Sequence, residues 1–263
     1  MNPCNVRSLR MSMKLPTKLA KEPMVDAVFE LRFSSKMPVS TILPGALFSA
    51  LVVDGTKVNI SQLPQAQLPS VMRENDPNLR YAPLVRLDWK GFGVHIGDRS
   101  IGVICQMPYP GWSVYRAVII DIITKTFATG VIDAIERFAL KYTDLFPESD
   151  LEKAIAGFNL SLKIGEHSLK AESAQIRVEI KRDSFQHAVN IITQATVQDP
   201  SRKMKKTGAV LEVDSVLMTR WVNKEGFLAQ MPESLDDIHA ANKRIFFECL
   251  KPQLIEDMGA QYV

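Results

Sequence analysis

Cysteine is scarce. The 263-residue chain has three, Cys4, Cys105 and Cys249. No two of them form a Cys-x-x-Cys pair. An odd, scattered set argues against a disulfide framework and a zinc knuckle and fits a reducing cytoplasm. Long apolar runs are missing as well. The most apolar stretch, Ala117 to Ile132, is broken by Asp121 and Lys125. It is too short and too polar to cross a bilayer, so no membrane role is expected. Nor is there an excess of one charge. A net charge of +3 does not by itself make a nucleic-acid protein.

Several motifs are absent too. His95, His167, His187 and His239 lack metal-ligand spacing. No Gly-x-Ser-x-Gly elbow occurs. The glycines between Gly91 and Gly102 fall inside a hairpin pattern, not ahead of a helix, which argues against a phosphate loop. Cys105 has no evident base to activate it. Neither a cofactor nor a metal is implied.

What is present is a globular composition, 46% apolar and 23% charged, of a length for one large domain or two ordinary ones. Residues 1–18 are basic without an apolar core, unlike a signal peptide, and are expected to be a disordered extension. Then Val25, Ala27, Phe29, Leu31 and Phe33 alternate with Asp26, Val28, Glu30 and Arg32, which predicts a half-buried strand. Asp26 and Glu30 would stand roughly 13 Å apart on it, too far to share a proton. Both are better read as fold determinants than as an active site, with Glu30 close enough to Arg32 to pair.

The remaining pattern divides the chain into halves, 19–147 and 148–263. In the first, a short helix is expected over Ser40–Leu51, then a loop over 54–83 with one short strand. A hairpin follows from Val85 to Cys105, a helix from Val114 to Phe127 stopped at Gly130, and a strand over Phe138–Phe146. The order β-α-β-β-α-β is that of a ferredoxin-like unit. In the second half, strands are expected at 158–164, 174–183, 187–198 and 208–221. A long C-terminal helix is expected to start near Pro232 and Ser234, to kink at Pro252 and to be capped by Gly259. The fold class is α+β.

Candidate sites are few. The loop with Arg202, Lys203, Lys205 and Lys206 could grip phosphates of a nucleic acid, although no aromatic residue interleaves to stack bases. The competing reading is a solvated turn. Glu212 and Asp214 share a strand face and could hold a divalent ion only with a further ligand. Phe247 lies opposite the main stripe of the last helix (Leu235, Ile238, Ile245, Cys249). It is either buried by another element or offered to a partner, another copy included.

Four segments together resemble a sporadically distributed family of uncharacterised prokaryotic proteins of similar length. They are Lys21–Phe33, Pro108–Ile119, Ile135–Pro147 and Leu235–Leu250. They carry a Pro-hydrophobic-x-acid-Ala strand start, a Gly-Trp helix start, a strand like Arg-Tyr-x-Asn and a Leu-x-x-x-His helix. Here Lys141, Tyr142, Thr143 and Asp144 stand where the family tends to have Arg-Tyr-x-Asn. The resemblance implies no established activity; its patchy occurrence suggests defence or mobile-element cargo. The leading expectation is a non-catalytic cytoplasmic binding protein with a protein partner or self-association. The alternative is an enzyme on nucleic acid or nucleotides with a site shared by both halves. Its first candidates are Tyr142, Asp144 and His239, and a cleft gathering those three would favour it.

Overall fold

Alternation in the first long strand sets the frame. In a computed structural model, which describes residues 14–53, 55–199, 204–217 and 224–262, Ala27, Phe29, Leu31 and Phe33 are fully buried. The elements in chain order are β1 (Lys18–Leu19), β2 (Met24–Ser34), α1 (Val39–Leu51), β3 (Val58–Gln62), α2 (Ser70–Asn75), β4 (Val85–Trp89), β5 (Phe92–Ile96), β6 (Ser100–Cys105), α3 (Trp112–Ala128) and β7 (Ala134–Pro147). They continue with α4 (Leu151–Ala156), β8 (Lys163–Ile164), β9 (His167–Ser168), β10 (Gln175–Arg182), β11 (Phe185–Asp199), β12 (Met204–Leu217), α5 (Lys224–Glu248), α6 (Pro252–Asp257) and β13 (Ala260–Gln261).

Nine strands make one sheet in the order β10-β11-β12-β7-β2-β6-β5-β4-β3, and every neighbouring pair is antiparallel. The β-α-β-β-α-β unit is there: β2, α1, β5, β6, α3 and β7 give the adjacent set β7-β2-β6-β5. The division at residue 147 is no boundary in the sheet, because β7 pairs with β12 over ten residue pairs from Gly208↔Pro147 to Leu217↔Phe138. Helices α1, α3 and the first part of α5 cover one face. There Phe29, Leu43, Tyr115, Phe138, Phe227 and Leu235 share one core. A second core lies under the end of α5, where Phe146, Phe158, Leu211, Phe247 and Leu250 meet. Outward-facing residues of the central strands pair in ions instead: Glu30 with Arg32 at 2.6 Å and with Arg137 at 2.9 Å, Lys141 with Glu212 at 3.3 Å.

Several expectations are corrected. Val85 to Ile96 is two strands. Lys90 (φ +48°) and Gly91 (φ +80°) turn the chain between them, a left-handed pair that suits a two-residue hairpin. Residues 158–164 are not a strand. Short α4 precedes them, started by Asp150 accepting from the backbone N–H of Glu152 and Lys153; Phe158 makes a single bridge to Leu250, and Lys163–Ile164 pairs with β9. The last long helix begins at Lys224, with Pro232 inside it. Burial of Phe227, Met231, Leu235 and Ile238 offsets the hydrogen bond that proline forfeits. Pro252 does not kink that helix; it opens α6, where its missing N–H costs nothing. Gly259, at φ +68°, therefore follows α6 rather than α5. The expected disordered extension is shorter at its end: Lys18 and Leu19 pair with Gln261 and Ala260.

Candidate functional site: a cleft over the β7 strand

On β7 the period of two puts Tyr142 and Asp144 on the helix-facing side with Phe138 and Leu140. On α5 the helical period lines up His239, Asn242, Lys243 and Phe246. Gly111, at φ +94°, turns the chain into α3 and sets Trp112 at its start. These three elements enclose a cleft of about 660 Å3, walled on its outer side by residues 16–24. That wall is tied down at both ends. The Thr17 N–H donates to the Gln261 carbonyl at 2.8 Å, and the Leu145 N–H to the Pro23 carbonyl at 2.9 Å.

The three residues of the enzyme alternative meet here. Tyr142 Oη lies 3.2 Å from His239 Nδ1 and 3.4 Å from Tyr109 Oη. Burial, with Tyr109 and Asp144 adding to it, holds the Tyr142 phenol well above its usual range. The Tyr109 phenol is pushed up to about 12, chiefly by burial. Both therefore keep their protons. Burial, then the nearby Lys243 ammonium, draws His239 down to about 4, against the opposing pull of Asp236. A neutral imidazole can thus accept from Tyr142 while Tyr142 accepts from Tyr109. Trp112 lies flat on His239, centroids 4.1 Å apart and planes 6° from parallel. Its own Nε1 donates to Asp236 at 2.9 Å, and Asp236 pairs with Arg116 at 2.9 Å.

Asp144 is the unusual group. It is 3% exposed, and burial, with the Glu22 charge adding to it, pushes its carboxyl up to about 8. No side-chain hydrogen bond ties that carboxyl to another described residue, yet it lines the cleft. Lys243 also lines it. Burial lowers the pKa of its ammonium, and no carboxylate among the described residues pairs with it. Asn242, behind them, is turned into the fold: its two amide N–H groups are shared among the carbonyls of Leu140 at 3.1 Å and Val213 at 2.8 Å and Ser215 Oγ at 2.9 Å. Ser215 in turn contacts His187 Nδ1 at 2.8 Å.

Most other candidates fall elsewhere. Phe247 lines the cleft, but it is 3% exposed and packs in the second core, with its neighbour ring Phe246 at 5.0 Å. It is buried by the sheet rather than offered to a partner. Arg202 and Lys203 lie outside the described residues. Lys205 and Lys206 are exposed, on a strand rather than in a loop, opposite Gln198 and Val197. Glu212 is engaged by Lys141 and by Thr143 at 3.4 Å, and among the described residues no three His, Cys, Asp or Glu side chains converge as metal ligands. The Cys105 thiol is pushed up to about 11 by burial and by Asp26; it is an inert core group.

Sequence reasoning missed Tyr109, Trp112, Lys243 and the 16–24 wall as parts of one site. A signal existed for α5. The apolar stripe Leu235, Ile238, Ile245 skips position 242, where helical spacing calls for a buried residue and the sequence has Asn. No helix among the described residues is long and apolar enough to cross a membrane. No family model matches the chain, and no curated protein matches it.

Proposed function

We propose that the protein binds a nucleotide-like small molecule in the cleft and can exchange a proton with it. The observation that carries this reading is Asp144, a buried carboxyl with no side-chain partner among the described residues, on the wall of a cleft that Tyr109, Trp112, Tyr142, His239 and Phe246 also line. Leaving such a group unsatisfied is costly, and a perturbed carboxyl in a cleft is a common mark of a working site. Near neutral pH it is largely protonated and offers a donor and an acceptor in one plane. That pattern fits the edge of a nucleobase or a similar cyclic amide. Lys243, which no carboxylate among the described residues pairs, supplies a cation for an anionic group, and Gly111 and Trp112 at the start of α3 line the same cleft. The Tyr142–His239 pair stands beside Asp144 for an acid–base step. The gathering of Tyr142, Asp144 and His239 favours the enzyme alternative over partner binding through the last helix, whose candidate aromatic is in the core.

The test is calorimetric titration with nucleoside mono-, di- and triphosphates of each base, together with mass spectrometry of small molecules released from the purified protein. One base class should bind, and Asp144→Leu should weaken it at least about tenfold, about 1.4 kcal/mol. Asp144→Asn, which keeps one donor and one acceptor, should retain part of the affinity. Lys205→Glu should change nothing. Absence of binding by every class, or affinity indifferent to Asp144→Leu, overturns the proposal.

A further inference from the structure

Among the described residues the sheet ends at β10, and only β11 pairs with it. The Thr193 N–H donates to the Ala174 carbonyl at 3.0 Å, and antiparallel bonding alternates. Residues 176, 178, 180 and 182 therefore aim their backbone groups at β11. Gln175, Arg177, Glu179 and Lys181 aim theirs outward, an open row of donors and acceptors. The side chains divide the other way. Ile176, Val178 and Ile180 stand on the helix-covered face, opposite Ile191, Val189 and His187. No helix reaches over Val178, which is 49% exposed. Arg177 and Glu179 stand on the other face, where they touch at 3.4 Å.

We propose that β10 pairs with β10 of a second copy of this chain, antiparallel and centred on Val178, to continue the sheet across a two-fold axis. In that register the strand is self-complementary on both faces. Arg177 faces Glu179 of the other copy, twice by symmetry. Gln175 faces Lys181. On the opposite face Val178 meets Val178 and Ile176 meets Ile180, which covers the exposed Val178 side chain. A register centred on Glu179 sets that carboxylate against itself and Arg177 against Lys181. A register centred on Ile180 pairs Glu179 with Lys181 but sets Val178 against Arg182, which breaks the apolar row. In the register centred on Val178 the outward backbone groups of Arg177 and Glu179 exchange paired hydrogen bonds, so the two side-chain faces choose the register and the backbone supplies the bonding. The cleft lies on the other side of β12, so dimerisation leaves it open and stands independently of the proposed ligand.

Sedimentation equilibrium of the full chain tests this. The expected mass is twice the chain mass of 29.5 kDa. Arg177→Glu and Glu179→Arg should each bring like charges together and raise the dimer dissociation constant at least about tenfold. The two together restore the Arg–Glu pairing in reverse and should restore the dimer. Val178→Cys places a thiol on the axis at a non-bonded pair, where Cα atoms approach about 4.5 Å. Mild oxidation should give a covalent dimer that the unmodified chain does not form. A monomer at about 100 µM, a concentration well above the dissociation constants of specific dimers, overturns the proposal. So does a dimer that both single reversals leave intact, which would place the contact elsewhere.

Discussion

Tyr142 and His239 are 97 positions apart in the chain, and their Oη and Nδ1 atoms stand 3.2 Å apart. One comes from the strand that joins the two halves of the sheet and the other from the helix that crosses it. The contact exists only because β7 and α5 are both in place, and it fixes one corner of the cleft. The other corner is Asp144, two residues along the same strand face.

Asp144→Asn should change the pH dependence of stability. The carboxyl titrates near 8 in the folded protein against an ordinary 3.8. Between those values the native state binds more protons than the unfolded chain, so stability falls as pH rises through that window. The substitution removes this slope. Urea unfolding should show the variant gaining on the parent by a few kcal/mol between about pH 5 and about pH 8. Equal slopes would mean that the carboxyl is ionised in the native protein.

Trp112→Ala should raise the pKa of His239. Burial is the first cause of its descent to about 4 from 6.5, and the indole is the flat cover on the ring. Uncovering it returns the titration part of the way, with Lys243 still opposing. The sign for stability is opposite to that of Asp144. A lowered histidine costs stability as pH falls below 6.5, and the variant should lose less over that range. Proton NMR of the His239 ring reads the shift directly.

Phe247→Ala should act as a core deletion. Its ring packs in the second core with Phe246, so the expected cost is about 3–5 kcal/mol. Lys205→Ala should stay within about 0.5 kcal/mol. Chemical denaturation of the two variants distinguishes a packing role for Phe247 from a surface one.

Gly208→Ala should loosen the seam between β7 and β12. A Cβ there would stand 2.0 Å from the Phe146 carbonyl oxygen, so the strands must part locally. A loss of about 1–3 kcal/mol is expected. Hydrogen exchange should quicken at the amides of 208–210 and 145–146, while α1 and β5 keep their protection.

Much of the fold was legible because it is written in periods. Ala27 to Phe33 alternate and are buried as expected, and α3 stops before Gly130 as its pattern requires. Failures came where two signals overlapped. Trp89 and Phe92 are three apart, a break in the alternation, but both are apolar, and the Lys90–Gly91 turn between them was hidden by the run of glycines beyond. Pro232 reads as a helix start in isolation; the packing of Phe227 and Met231, four residues apart, overrules it. The site was legible only in part. Tyr142 and Asp144 show a shared face by their spacing, but no local pattern tells that Trp112 will lie on His239, because that contact is made by the sheet bringing distant elements together.

The cleft draws on residues 16–24, 109–112, 142–144 and 239–247, and chains emerge from synthesis N-terminal end first. A growing chain that has completed β7 already displays Tyr142 and Asp144, but their cover on α5 has not been made. A polypeptide cut short anywhere before α5 would carry the acid without the imidazole, the stacking pair or Lys243. Whatever the site does to its ligand, it cannot begin while the chain is still growing through β10, β11 and β12.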